Sequence, residues 1–72
     1  MSAANFEKQV FEKIAKCDIE NAEFNFGTLF VETQESVARQ IFSVLFNADF
    51  GTGRYKVVVS KFGNEYAYDF IA

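Results

Sequence analysis

The chain has 72 residues; half are apolar, ten are phenylalanine, and histidine, proline and tryptophan are absent. About a third of the chain is Leu, Ile, Val or Phe, above the roughly 20% below which disorder becomes the default, so a single folded domain spanning residues 1–72 is expected. The lone Cys17 excludes an internal disulfide, and one thiol without histidine excludes an ordinary structural zinc site.

The net charge of −3 is unevenly spread. No basic residue lies between Lys16 and Arg39, a stretch that holds Asp18, Glu20, Glu23, Glu32 and Glu35. The rest of the chain is mildly basic and includes Arg54, Lys56 and Lys61.

Residues 5–16 and the Cys17 that follows place Phe6, Val10, Ile14 and Cys17 on one helical stripe, with Glu7, Lys8, Glu12, Lys13 and Lys16 opposite. The spacing predicts an amphipathic helix, with Ser2 or Asn5 as its cap and Lys13 and Lys16 suiting its C-terminal dipole. Residues 23–32, EFNFGTLFVE, are rich in aromatic and branched side chains and read as a strand. As one strand it would carry Phe24, Phe26 and Phe30 on one face and Leu29 and Val31 on the other. Apolar residues on both faces suggest a central position, with Gly27 marking a bulge; a strand in two pieces broken at Gly27 is the alternative.

Thr33 is the expected N-cap of a second helix, with Gln34 and Glu35 in its first turn. Val37, Ala38, Ile41, Phe42, Leu45 and Phe46 form its broad apolar stripe. NADFGTG (47–53) follows as a loop. The last nineteen residues, from Arg54, read as a hairpin around Gly63-Asn64, a pair suited to a type II′ turn. That turn sets a register: Phe62 opposite Glu65, Val59 opposite Tyr68, Val57 opposite Phe70. One face then carries Tyr55, Val57, Val59, Tyr66, Tyr68 and Phe70; the other carries Lys56, Val58, Ser60, Phe62, Glu65, Ala67, Asp69 and Ile71.

The order α-β-α-β-β, with one apolar stripe per helix and one strongly apolar sheet face, predicts an α+β two-layer sandwich. Two helices would pack on one face of a small three-stranded sheet that ends in a C-terminal β-hairpin. The second helix would cross right-handed if the strands it joins are parallel. Phe6, Phe11, Phe24, Phe26, Phe30, Phe42, Phe46 and Phe70 are assigned to the core, Phe50 to the loop. Val58, Phe62 and Ile71, with Leu29 and Val31 beside them, would face outward, more apolar surface than a small monomer usually leaves open.

Catalytic chemistry finds few candidates. Without histidine the commonest general base and metal ligand is missing, and Cys17 has no base to activate it. Glu65 and Asp69 share a strand face but lie about 13 Å apart by strand rise, too far for a glycosidase pair. Asp18, Glu20 and Glu23 lack the ladder of a calcium loop. Gly51-Thr52-Gly53 lacks the lysine and following helix of a phosphate cradle. No metal, cofactor or enzymatic activity is expected. An acidic chain also disfavours direct nucleic-acid binding. No apolar run approaches the ~18 residues of a membrane span, and MSAANFE lacks the basic start of a secretory signal. A cytoplasmic protein is expected.

What remains is a protein-binding module. Asp18, Glu20, Glu23, Glu32 and Glu35 would meet a basic surface on a protein partner, with Val58, Phe62 and Ile71 as apolar contacts. Short, acidic, α+β and without catalytic apparatus, the chain is similar in size and charge to small phage-encoded inhibitors of host defences, anti-CRISPR proteins among them. That resemblance implies a viral accessory protein acting on a host nucleic-acid-binding complex. The alternative is a self-associating structural subunit, a homodimer through the outer sheet face or an edge strand.

Overall fold

The computed structural model describes residues 3–51 and 53–71. Its elements are α1 (Ala3–Ile14), β1 (Asn21–Asn25), β2 (Thr28–Glu32), α2 (Glu35–Phe46), β3 (Lys56–Phe62) and β4 (Glu65–Ile71). They form a small α+β fold, two helices over an antiparallel four-stranded sheet of order β1-β2-β4-β3.

The fourth strand comes from the run 23–32, which is a hairpin rather than one strand. Asn25 pairs with Thr28 and Asn21 with Glu32, and Phe26-Gly27 makes the turn. Both turn residues have positive φ, +51° and +81°, the signature of a type I′ turn. A two-residue turn switches the parity of the inward positions. Ala22 and Phe24 point to the helices from β1, Leu29 and Val31 from β2. Leu29 and Val31 are therefore fully buried instead of facing outward, and Phe30 lies on the outer face opposite Ala67.

The C-terminal hairpin has the expected register, with Val57 opposite Phe70, Val59 opposite Tyr68 and Phe62 opposite Glu65. Gly63 alone in its turn has positive φ, as a type II′ turn requires. β4 then inserts beside β2, pairing Leu29 with Tyr68 and Val31 with Tyr66. Strands β2 and β3 consequently run parallel with β4 between them, joined by α2.

Both helices bury one stripe against the same sheet face. Val10 and Ile14 from α1, and Ala38, Ile41 and Leu45 from α2, meet Leu29, Val31, Val57, Tyr66 and Tyr68. Each Val, Ile or Leu among them, fully buried, contributes about 1.5–3 kcal/mol. Tyr68 is completely buried and donates its hydroxyl to the Ala38 carbonyl at 2.8 Å, tying β4 to α2. Phe6 is the hub of an aromatic cluster. Its ring centroid lies 5.1 Å from Phe50, 5.2 Å from Tyr55 and Phe70, and 6.3 Å from Phe24.

Phe50 lies in a loop as expected, yet it belongs to the core: it is 1% exposed. Ala48 and Phe50 turn inward, with the Phe50 N–H bonded to the Gly53 carbonyl and the Gly51 N–H to the Asp49 carboxylate. Phe11 and Phe46 are exposed rather than core; each sits at the margin of its helix's stripe. The capping residues differ as well. Asn5 lies inside α1, and Ser2 falls outside the described residues. Gln34 caps α2 without a side-chain bond. Thr33 is buried and donates its hydroxyl to the Asp18 carbonyl at 2.8 Å, pinning the α1–β1 connection to the start of α2.

Candidate protein interface on the outer sheet face

The register determines what the sheet shows on the side away from the helices. Across the four strands the outward rows are Asn21, Glu32, Glu65 and Phe62; then Glu23, Phe30, Ala67 and Ser60; then Asn25, Thr28, Asp69 and Val58, with Lys56 and Ile71 at the corner. Phe62 is 64% exposed, and Val58 and Ile71 are exposed with it. Four carboxylates, those of Glu23, Glu32, Glu65 and Asp69, share this face with one basic residue, Lys56.

Glu32 and Glu65 stand directly opposite each other on the two central strands. The Thr33 N–H bonds the Asn64 carbonyl one position further along, which makes Glu32 and Glu65 a non-hydrogen-bonded pair, the kind whose side chains lie closer. Like charges so placed are mildly destabilising, and no ion pair is found for either among the described residues. Asp69 is held differently, accepting the Thr28 hydroxyl at 2.6 Å.

The acidic residues expected to act together are partly dispersed. Glu23 and Glu32 lie on the outer face. Glu20 is next to that face, its N–H bonded to the Glu32 carbonyl at 3.0 Å. Asp18 is exposed in the turn after α1. Glu35 belongs to the helix layer, where it pairs with Arg39 at 3.3 Å. Glu65, Asp69 and Phe30 join the face although none was among the residues expected to meet a partner. The hairpin register had already placed Glu65 and Asp69 on the strand face of Phe62; the position of Glu65 beside Glu32 and of Asp69 beside Thr28 depends on strand order, for which the chain carries no local signal.

Phe26 stands apart. It is 101% exposed at the tip of the β1–β2 hairpin, in a backbone region that a bulky residue rarely occupies.

Among the described residues no group of three metal-ligating side chains converges, and no helix is long and apolar enough to cross a membrane. Burial raises the phenol of Tyr68 well above its ordinary value, and the neighbouring Tyr66 and Cys17 add to the effect. That hydroxyl is engaged in the core. No protein-family model, curated protein or solved structure matches this chain.

Proposed function

We propose that this protein is a small non-enzymatic binding module that docks through its outer sheet face onto a basic surface of a larger protein. The observation that carries the reading is the composition of that face: Phe30, Val58, Phe62 and Ile71 set among Glu23, Glu32, Glu65 and Asp69, with Lys56 as the sole counter-charge. A basic partner would relieve the Glu32–Glu65 repulsion while the aromatic and branched side chains supply the apolar contact. Such charge matching speeds association and sets orientation more than it adds affinity. A basic groove that otherwise holds nucleic acid is the surface of this chemistry, and occupying it would make the protein an inhibitor of that complex, acting in the cytoplasm that holds it.

The same charges weigh against a homodimer through this face, because a two-fold axis would set four carboxylates against four others. The test is capture of partners from the source cell, or its host, with wild type and with the triple variant Glu23→Lys, Glu32→Lys, Glu65→Lys. The expected result is a defined partner held by wild type, released by duplex DNA and by salt, and lost in the folded variant. Capture undiminished by the three changes would refute the reading.

A further inference from the structure

The opposite margin of the molecule has the reverse character. β3 is an edge strand of seven residues, uninterrupted by proline, glycine or a bulge. In a hairpin with a two-residue turn the residues flanking the turn exchange hydrogen bonds, so Phe62, Ser60, Val58 and Lys56 bond to β4. The main-chain N–H and C=O groups of Val57, Val59 and Lys61 then point away from the sheet, and among the described residues no strand or loop pairs with them. On the helix side, a groove of about 270 Å³ runs beside this strand, lined by Glu35, Ala38, Arg39, Phe42, Val59 and Tyr66, with the Glu35 carboxylate paired to Arg39. Val59, though on the core face, is 41% exposed there.

Charge says what fits. Residues 54–62 hold Arg54, Lys56 and Lys61 and no acidic side chain; the ammonium of Lys61 lies over the Tyr66 ring, 5.8 Å from its centroid. We propose that β3 takes an added strand: an extended acidic segment of another protein, with its apolar residues at alternate positions directed toward the groove and its carboxylates on the opposite face toward Lys56. Lys61 on the groove face and Arg54 before the strand add to the basic field along the edge. Main-chain bonds would supply affinity and the groove side-chain selectivity. A second copy's β3 is disfavoured because three cations on each side would meet. A second copy's β1 spans only five residues with one carboxylate, Glu23, too little charge to match Arg54, Lys56 and Lys61.

The probe is a fluorescein-labelled peptide of about seven residues, glutamate alternating with valine and phenylalanine, to match the span of β3. Saturable binding is expected, weakened by salt, with amide shifts centred on Val57, Val59 and Lys61. Val59→Pro removes only an outward-facing N–H, which an edge strand tolerates, and should weaken binding roughly tenfold or more. Should that variant not fold, the surface pair Lys56→Glu and Lys61→Glu serves instead, with the same loss expected. The outer-face triple variant should bind the peptide at least as well as wild type, which separates this proposal from the preceding one. Absence of saturable binding, equal binding of a lysine-substituted peptide, or shifts centred elsewhere would overturn it. So would particle growth with protein concentration that Val59→Pro arrests, because the occupant would then be a second copy.

Discussion

Phe26→Asn should make the protein more stable, although it removes a large apolar side chain. Phe26 sits at φ +51° as the first turn residue of the β1–β2 hairpin, with Gly27 at +81°. A side chain with a Cβ costs about 1–2 kcal/mol in the left-handed region, and asparagine is among the few that tolerate it. The substitution creates Asn-Gly, the pair that type I′ turns prefer. Phe26 is fully exposed, so no burial is forfeited. A net gain of about 0.5–1 kcal/mol follows, and with about 4–8 °C per kcal/mol for a domain of this size the melting temperature should rise by about 2–8 °C. Thermal unfolding followed by circular dichroism measures it, with urea titration confirming an unchanged slope. Phe26→Ala lacks the short polar side chain that lets asparagine occupy the left-handed region and should gain less. A melting temperature for Phe26→Asn equal to or below wild type would refute the reasoning, since Phe26 would then have to make a stabilising contact. Residues held in strained backbone persist where the surrounding structure or a function requires them, so the same variant is worth assaying against any partner the outer face captures.

Two further substitutions probe the core. Phe50→Ala should cost about 3–5 kcal/mol, most of the stability available to 72 residues; a loss below about 1 kcal/mol by urea titration would mean that the loop does not hold Phe50 inside. Tyr68→Phe removes the hydroxyl bonded to Ala38 and should cost about 1 kcal/mol near neutrality. At alkaline pH the difference should shrink. The folded phenol is held above its unfolded value near 10, so above that pH the unfolded chain releases a proton that the folded one retains, and wild-type stability falls as pH rises. Denaturation midpoints across this range should converge for the two proteins; parallel curves would contradict the burial of the hydroxyl.

How far the fold was legible in the chain is clearest in its two hairpins. The C-terminal one announced itself because Gly63-Asn64 has the chemistry of its turn and the flanking residues alternate cleanly, so one register alone keeps Tyr55, Val57, Tyr66, Tyr68 and Phe70 together. The first hairpin was legible only as the alternative of a strand broken at Gly27, for the opposite reasons. Its turn carries phenylalanine where asparagine is usual, and the parity switch at residues 26–27 made two half-buried strands look like one strand apolar on both faces. Phe26 and Phe30 were thereby assigned to the core that Leu29 and Val31 occupy. The candidate face was legible in part: Glu23, Glu32, Val58, Phe62 and Ile71 lie on it, whereas Glu35 turns away with α2.

The sequence by itself determined both helices, the β3–β4 register, the lack of histidine and the separation of acidic from basic segments, because each is written in spacing or in composition. The tertiary structure alone decided that β4 lies between β2 and β3, that Glu65 therefore faces Glu32, that Phe50 closes the aromatic cluster around Phe6, and that β3 is left as an edge with basic flanks. Periodicity specifies which side of an element is buried. Which elements become neighbours depends on how all the apolar faces are covered at once, and that requirement belongs to the whole chain.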